Sequence, residues 1–497
     1  MTHVGPVVPQ TVAEADPRRW IALFTLLMAS FMNLMDVTIV NVALPSMQAD
    51  LAANSSQLEW IVAGYILFFA LGLLPFGRLG DILGRKQLFL GGVGAFTLAS
   101  TACGMAPSIE WLIAARVLQG IGAAVMIPQV LAIVQVTFPP QEKGLAFSMF
   151  GVSAGLASVA GPVTGGLLIS ADIFGLDWRP IFLVNIPLGL IALVAGSILI
   201  PPSHGQRGLR NDWIGILIAG AAILALVFPL VEGRTLGWPS WLFGLMVAAA
   251  FGLAGFYFWE RARERAGQPQ LLSIHLLNNR RYMLGIGMAT VFFSGIPGMF
   301  MILALFLQSG FDFTPLQSGL ATLPFPVGVL LASWINGRLG SDRLRGRMLA
   351  GVLLLIVGMS VLRLVLLGVA DRVEPLYFVV PLLLSGLGLG IAISALFQTV
   401  LSVVPPRDAG SGAGALQTFQ QIGGALGVAL VGEIFFASLQ AAESSGTAAP
   451  QAFVGAIGNA LWYQIGAYVL VALLVPFSMV RPKPGPSGEE APPNVEL

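Results

Sequence analysis

The stretch GRLGDILGRK at residues 77–86 decides the fold, because a closely related stretch, GRLGSDRLRGR, occurs at residues 337–347. The second copy begins 260 residues after the first, and each copy lies between two long apolar runs. A basic, glycine-broken loop that recurs in both halves of a membrane chain indicates an internal duplication. The sequence therefore predicts two related halves that move against each other.

The composition places the chain in a lipid bilayer. Hydrophobic residues make up 56% of the sequence and charged residues only 10%, whereas a soluble domain carries roughly 25% charged residues. A span needs about 20 apolar residues, and fourteen stretches meet this requirement. They are too long for barrel strands, so we expect an all-α membrane protein with fourteen transmembrane helices. The predicted spans are 18–46, 57–77, 86–105, 109–138, 143–170, 180–200, 213–232, 241–260, 280–309, 315–337, 348–370, 376–404, 410–439 and 453–480.

The distribution of basic residues predicts the orientation of these spans. With the N-terminus in the cytoplasm, twenty of the 25 Lys and Arg residues fall in cytoplasmic segments. The outer loops hold Arg179, Arg234 and Arg372, and two further arginines lie within spans. This bias follows the positive-inside rule. We therefore expect a multi-pass protein of the cytoplasmic (inner) membrane with both termini in the cytoplasm.

The spacing of the repeated stretch predicts how the spans are divided. Six spans with short connections need roughly 200 residues, so a spacing of 260 leaves room for two extra helices between the halves. The predicted order is a cytoplasmic tail, a six-helix bundle, a two-helix insert with its linkers, a second six-helix bundle and a disordered tail. Their boundaries are 1–17, 18–200, 201–279, 280–480 and 481–497.

Two charged residues lie inside predicted spans at comparable depth. Asp36 is about nine residues from the outer end of its span and Arg116 about seven, or ~13 Å and ~10 Å at 1.5 Å per residue. A charge at the bilayer centre costs at least ~3 kcal/mol on insertion scales, and these depths permit a contact. A nearby Arg116 favours ionised Asp36, whereas protonation neutralises it. The pair is either a proton switch or a permanent structural ion pair.

Glu433 is a further carboxylate inside a predicted span, the thirteenth. Its side chain can bind a proton or a cationic substrate directly. The alternative is an outer-vestibule residue that faces water, because Glu433 lies only about six residues, fewer than two helical turns, from the predicted helix end.

The repeated loop and the fifth span carry residue patterns that suit a contact between two halves that move against each other. Asp81 can accept hydrogen bonds from a helix N-terminus, which favours its charge. In the fifth span, Gly161 and Pro162 precede a second small pair, Gly165 and Gly166. Pro162 removes a backbone hydrogen bond and bends a helix, and a bend at the interface of the two halves would affect gating. The simpler interpretation of the repeated loop is a basic loop that follows the positive-inside rule, and that of the fifth span is ordinary close packing of helices.

Together these motifs resemble those of the fourteen-helix drug:proton antiporters of the major facilitator superfamily. The family's loop pattern, Gly-x-Leu-x-Asp-x-x-Gly-Arg-Lys, matches residues 77–86, and its patterns for spans 1 and 4 match 36–45 and 116–124. Its antiporter pattern in span 5 matches the glycine–proline seam, except that Ala157 replaces a leading glycine. The resemblance runs from about residue 20 to residue 480. The chain departs from the family at Pro180 and at Gln417, Gln420 and Gln421.

The resemblance implies proton-driven export of amphipathic drugs or cationic toxic compounds by alternating access. It also implies that the repeated loop joins the two halves on the cytoplasmic side in one state. We expect Asp36, Arg116 and Glu433 to couple transport to protons. The residues expected to act in gating are Gly77, Asp81, Gly84, Arg85, Lys86, Asp342, Gly161, Pro162, Gly165 and Gly166.

Other function classes fit the sequence less well. No Walker-type Gly-x-x-x-x-Gly-Lys-Ser/Thr run is present, so ATP is not expected to drive transport directly. The driving force that the resemblance implies is a proton gradient, with no cofactor. No Ser/His/Asp, Cys/His or metal-spaced cluster sits at one depth, which argues against an enzyme. A net charge of +1 predicts no nucleic-acid partner. The alternatives are an exporter dedicated to one endogenous metabolite or lipid, and a channel. The expected partners are the substrate, protons and the bilayer, and the sequence says nothing about a periplasmic adaptor.

Overall fold

A computed structural model describes residues 18–53, 55–203, 205, 212–233, 236–339, 343–368 and 372–478. In these ranges fourteen helical segments are long and apolar enough to cross a membrane, which confirms the predicted number. The α-helices are α1 (Arg19–Leu51), α2 (Ser55–Leu83), α3 (Arg85–Gly104), α4 (Ile109–Thr137), α5 (Pro140–Ala171), α6 (Pro180–Leu183), α7 (Asn185–Leu199), α8 (Trp213–Glu232), α9 (Ser240–Arg265), α10 (Ile274–Asn278), α11 (Arg280–Ser294), α12 (Pro297–Leu305), α13 (Pro315–Thr322), α14 (Pro324–Leu339), α15 (Leu344–Leu367), α16 (Val379–Ser402), α17 (Ala409–Ser444) and α18 (Ala449–Ser478).

The helices pack in two groups joined by a helix pair. Helices α1–α7 pack on one another and form the N-terminal bundle, and α11–α18 form the C-terminal bundle. Between them, α8 and α9 pair with each other. Helix α8 also packs on α2 and α17, where Ile223 and Val227 join Leu67 and Ile422 in an apolar cluster. Through α8, the inserted pair therefore contacts both bundles.

Polar side chains cap several of the helices. Ser108, Asp212 and Asn279 each accept a hydrogen bond from a backbone N–H in the first turn of α4, α8 and α11, respectively. Such a cap satisfies one of the donors that a helix N-terminus leaves unpaired. Helices α2 and α3 are separated by the single residue Gly84. Its φ of 107° lies in a region that glycine adopts without strain.

The predicted loop at residues 77–86 is mostly helical, so the predicted end of the second span was wrong. Helix α2 continues to Leu83 and α3 begins at Arg85. The glycines inside α2 serve close packing: a Cβ at Gly77 would lie 2.5 Å from the Gly410 carbonyl oxygen, and one at Gly80 would lie 2.0 Å from Gln129 Oε1. The backbone of α17 therefore requires glycine at Gly77, whereas a side chain at Gly80 would have to displace the buried Gln129 amide; such close approach is common between helices in lipid.

The ninth predicted span, 280–309, is also interrupted. Helix α11 ends at Ser294, and α12 begins at Pro297, which has no N–H to donate. A Cβ at Gly295 would lie 2.5 Å from the Tyr468 hydroxyl oxygen, so the break is tightly packed against α18. The span predicted as one helix is therefore two α-helices followed by a π-helical turn at Phe306–Gly310.

The two bundles meet where α2 crosses α17. A Cβ at Gly410 would lie 2.2 Å from the Gly77 carbonyl oxygen, and one at Gly414 would lie 2.5 Å from the Leu73 carbonyl oxygen. The two backbones are therefore in direct contact. Nearby, Gln135 Nε2 on α4 donates to the Leu401 carbonyl oxygen on α16 at 2.7 Å. The same end of the molecule thus holds close packing and a hydrogen bond between the bundles.

Candidate functional site

Asp36 and Arg116 form an ion pair in the interior of the N-terminal bundle. Arg116 Nη1 on α4 donates to Asp36 Oδ2 on α1 at 2.5 Å. Asp36 has no exposed surface, and Arg116 is 1% exposed. The contact that their sequence depths permit is present, and it shields each charge from the apolar interior that would otherwise penalise it.

Two amide side chains complete the shell of the Asp36 carboxylate. Gln119 Nε2 donates to Asp36 Oδ1 at 2.8 Å, and Asn185 Nδ2 donates to the same oxygen at 3.1 Å. Gln119 also accepts a hydrogen bond from Arg116 Nη1 at 2.7 Å. Both amides are fully buried. The carboxylate therefore accepts three hydrogen bonds, from α4 and from the first residue of α7.

Helix α2 holds the guanidinium group independently of Asp36. Arg116 Nε donates to the Ile61 carbonyl oxygen at 3.0 Å. The guanidinium carbon lies 4.3 Å from the centroid of the Tyr65 ring, a cation–π contact. The Tyr65 hydroxyl donates to Asn33 Oδ1 at 2.5 Å, which fixes the ring. Arg116 therefore keeps partners on α2 when the charge of Asp36 changes.

This arrangement can convert proton binding into a structural change. Protonation of Asp36 would leave Arg116 as a buried cation without a counter-charge. Losing one member of a buried ion pair costs about 3–5 kcal/mol. Moving a two-state equilibrium from 1:99 to 99:1 takes about 5.5 kcal/mol. A conformation that relieved this cost would therefore gain population, over most of that range, when Asp36 is protonated.

The glycine seam of α5 lies against α1 rather than against the C-terminal bundle. A Cβ at Gly161 would lie 1.9 Å from Thr38 Oγ1, and one at Gly165 would lie 2.9 Å from Ile39 Cγ1. These two glycines therefore pack within the N-terminal bundle, although α5 itself also packs on α14 and α16 of the C-terminal bundle, and the gating role of the Pro162 bend stays a prediction. Gly144, Gly151 and Gly155, earlier in α5, face the C-terminal bundle.

The remaining seam residues differ in their surroundings. Pro162 lies inside α5, which runs from Pro140 to Ala171 without interruption. A Cβ at Gly166 would meet nothing within 4 Å. Close packing therefore requires glycine at Gly161 but not at Gly166.

We expect Gly161→Ala to lower both thermal stability and export, and Gly166→Ala to leave both near wild type. The methyl group added at Gly161 would collide with the Thr38 hydroxyl at 1.9 Å and press against the Ile39 backbone nitrogen at 3.0 Å, two and three residues beyond Asp36. Overpacking of this kind costs about 1–3 kcal/mol. Thermal unfolding of the two purified variants in one detergent, with substrate export from cells, measures the difference. Equal losses in both variants would contradict the assigned packing.

Asp81 joins the N-terminal bundle to the first turn of α17. Its Oδ1 accepts from the Gly410 N–H at 2.9 Å, and its Oδ2 accepts from the Ser411 N–H at 3.0 Å. Arg85 Nη2 donates to Asp81 Oδ1 at 2.9 Å. Asp81 is 3% exposed. A carboxylate at this position pairs two N–H groups of the helix and interacts favourably with its dipole.

Two further contacts cross between the bundles at the same end. Arg85 Nη2 donates to the Pro406 carbonyl oxygen at 2.6 Å. Arg78 and Asp408 form a buried ion pair at 3.4 Å. We call these contacts, together with those of Asp81 to Gly410 and Ser411, the α2–α17 latch. They connect the end of α2, and Arg85 at the start of α3, to the segment that starts α17.

Gly84 and Lys86 make their contacts within the N-terminal half of the chain. Lys86 Nζ donates to the carbonyl oxygens of Ser197 and Ile200 at 2.7 and 2.6 Å, at the end of α7. A Cβ at Gly84 would lie 2.4 Å from the Ser203 carbonyl oxygen. These two residues therefore fix the turn that carries Asp81 and Arg85 without touching the C-terminal bundle.

The other predicted residues lie outside both clusters. Glu433 is exposed on α17 and is absent from the contacts of Asp36 and of the latch. Asp342 lies outside the described residues. The sequence reasoning assigned no role to Gln119, Asn185 or Asp408. Gln119 lies within the span-4 pattern at 116–124, and Asp408 is a carboxylate directly before a helix, a signal for an N-terminal contact.

Comparison with known proteins identifies the family. A model of the Major Facilitator Superfamily matches residues 26–213 and 207–428. The Probable actinorhodin transporter of Streptomyces coelicolor is 40% identical over 88% of this chain and 76% of that protein. Multidrug resistance protein Stp of Mycobacterium tuberculosis is 35% identical over 83% of this chain and 75% of that protein. The human organic anion transporter MFSD10 (TETRAN), at 14% identity, shares the fold with a TM-score of 0.64 over 92% of this chain and 99% of that chain.

These likenesses agree with the number of spans. The family match covers the N-terminal bundle from residue 26 and the C-terminal bundle as far as residue 428, and the fourteen candidate spans fit the fourteen-helix drug:proton antiporter type. The chain belongs to the major facilitator superfamily and is a multi-pass membrane transporter rather than an enzyme.

Proposed function

We propose that this protein is a proton-coupled antiporter that exports amphipathic drugs or toxic compounds across the cytoplasmic membrane by alternating access. The observation that carries the proposal is the fully buried carboxylate of Asp36, which is held by Arg116 inside a membrane bundle. Intramembrane carboxylates of this kind mark proton relays and ion pathways. The names of two relatives, an actinorhodin transporter and a multidrug resistance protein, support export of compounds of this class.

The basic residues support a cytoplasmic location for the α2–α17 latch. Arg78, Arg85, Lys86 and Arg407 cluster at this end, and basic segments face the cytoplasm. The described conformation is then one that is closed toward the cytoplasm. In the cycle that we propose, the protein opens toward the cytoplasm when the latch separates.

A chain of contacts links Asp36 to the interface between the bundles. Thr38, half a turn beyond Asp36, donates to the Ala157 carbonyl oxygen on α5 at 3.2 Å. On the same helix, a Cβ at Gly155 would lie 3.1 Å from Pro326 of α14. A shift of α1 on protonation of Asp36 would therefore act on α5, which itself packs on the C-terminal bundle. Rigid helices in direct contact can carry such coupling.

Transport into inside-out membrane vesicles tests the proposal. With an imposed pH gradient, acid inside, we expect saturable uptake of a fluorescent cation such as ethidium, and its loss when nigericin collapses the gradient. Vesicles without the protein are the control. Uptake that persists without any gradient would overturn proton coupling, and flux that never saturates would favour a channel.

The orientation has its own test at the two ends of α9. Ser240 and Gln268 are both exposed, one at the start of the helix and one just beyond its end. In a Cys103→Ala background, a membrane-impermeant maleimide should label Ser240→Cys in intact cells and Gln268→Cys only in inside-out vesicles. Labelling of Gln268→Cys in intact cells would contradict cytoplasmic placement of the 261–279 segment.

A second candidate function is export of one endogenous metabolite or lipid. The 40% identical relative bears the name of a transporter of a single compound, actinorhodin. Profiling the compounds that cells with and without the protein retain separates the two candidates. Protection against several unrelated compounds supports multidrug export, whereas accumulation of one cellular compound in the deletion strain supports the dedicated exporter.

A further inference from the structure

Asn185 is placed between the buried carboxylate and a buried hydroxyl. Its Nδ2 donates to Asp36 Oδ1 at 3.1 Å and to Ser100 Oγ at 2.9 Å. The Ser100 hydroxyl in turn donates to the Phe182 carbonyl oxygen at 2.9 Å. Asn185 Oδ1 is buried and has no hydrogen-bond partner. A buried acceptor without a donor is costly and calls for a physical reason.

The partners of Asp36 present donors to it. Arg116 Nη1, Gln119 Nε2 and Asn185 Nδ2 all donate to the carboxylate, which suits its ionised form. A neutral carboxyl group carries an O–H that needs an acceptor. Gln119 Oε1 already accepts from Arg116 and from the Cys103 thiol. Among the side chains bonded to Asp36, Asn185 is the one with an unused acceptor.

We propose that Asn185 accommodates both protonation states of Asp36 by rotation of its side-chain amide. When Asp36 is ionised, Nδ2 donates one hydrogen to Asp36 and one to Ser100, as the structure has it. When Asp36 takes up a proton, a half-turn of the amide places Oδ1 between the same two groups. Its two lone pairs then accept from the Asp36 O–H and from the Ser100 hydroxyl.

During the rotation of the amide the proton stays on Asp36, and no covalent bond of Asn185 is made or broken. Asn185 is therefore a positioning residue, and its role rests on the proposed function, since it requires Asp36 to take up protons. The charged and titratable groups that face the site from neighbouring helices are Arg116 on α4, Tyr65 on α2 and Cys103 on α3. The Ser100 hydroxyl leaves the Phe182 carbonyl oxygen on rotation, so the change reaches the short helix α6.

Infrared difference spectroscopy of the reconstituted protein, acidic minus neutral pH, tests the proposal. We expect a carbonyl band of a protonated carboxyl group that is absent in Asp36→Asn. In Asn185→Leu the band should move to higher frequency, because the Asp36 O–H has lost its acceptor. In Asn185→Thr, whose hydroxyl can donate or accept, the band should stay near its wild-type position. The control is Gln464→Leu, which removes a fully buried amide from α18 and should not move the band.

The outcomes separate this proposal from the proposed function. A band that is missing in the wild type, or unchanged in Asp36→Asn, shows that Asp36 takes up no proton and overturns this proposal, while proton-coupled export itself is tested by the vesicle assay. A band that belongs to Asp36 but keeps its frequency in both Asn185 variants overturns the role of Asn185 alone. Transport gives a second readout: gradient-driven export should fall at least tenfold in Asn185→Leu and should recover in part in Asn185→Thr. Equal loss in the two variants would also overturn the proposal.

Discussion

Asp36→Asn should abolish export driven by a pH gradient while the purified variant still binds substrate. An asparagine keeps the shape of the side chain but can neither release nor take up a proton. It also leaves Arg116 without a counter-charge, although the contacts of Arg116 with Ile61 and Tyr65 remain. Removing one partner of a buried pair costs about 3–5 kcal/mol, so we also expect a lower unfolding temperature.

A matched control lies on the same helix. Asp50 pairs with Arg179 at 2.9 Å, but this pair is partly exposed, and exposed pairs contribute only about 0.2–1 kcal/mol. Asp50→Asn should therefore export normally. Uptake into inside-out vesicles and substrate binding in detergent, measured for both variants, decide the matter. If Asp36→Asn concentrates substrate at the wild-type rate, Asp36 is only a structural partner of Arg116, and Glu433 becomes the first candidate for the proton site.

The sequence predicted the Asp36–Arg116 pair because charge in a membrane span is expensive and therefore conspicuous. A rough depth along each helix was enough to bring the two residues together. The number of spans was predicted for a similar reason, since a membrane helix needs a long apolar run and little else. Both predictions rest on the bilayer as a solvent, and neither needs the details of packing.

The amide groups around the carboxylate could not be predicted in this way. Gln119 and Asn185 carry no charge, so burying them leaves no comparable mark on the sequence. Asn185 meets Asp36 only because α7 packs on α1, a contact between residues 149 positions apart. Such a contact depends on how the helices are arranged, which hydrophobic patterns do not specify.

Glycine was misread for a physical reason. Gly77 and Gly80 look like a turn because glycine lowers helix propensity, yet both lie inside α2 at points where α17 or Gln129 leaves no room for a side chain. Likewise, the small residues of α5 do not say which neighbour each faces. Gly155 meets α14, whereas Gly161 meets α1. A sequence shows that a close approach exists but not which helix makes it.

Asp81→Asn should abolish transport while leaving the protein in the membrane. The ionised carboxylate accepts from two N–H groups of α17, whereas an asparagine has one acceptor oxygen and turns an NH₂ group toward Gly410 or Ser411. Leaving one buried N–H unpaired costs about 1–3 kcal/mol, and the lost interaction with the helix dipole adds about 0.3–1 kcal/mol. A free-energy difference of 1.36 kcal/mol corresponds to about a factor of ten. The population of the state in which the α2–α17 latch is closed should therefore fall about tenfold or more.

Alkylation of Ser411→Cys in a Cys103→Ala background reports this loss directly. Ser411 is fully buried in the latch, so a maleimide can react only when the latch opens. In inside-out vesicles the rate should rise about tenfold when Asp81→Asn is added. Glu142→Gln is the control, because Glu142 pairs with Arg19 within the N-terminal bundle and not across the latch. Wild-type export by Asp81→Asn, with an unchanged alkylation rate, would contradict the prediction. The contact of Asp81 with α17 would then contribute too little free energy to favour either conformation.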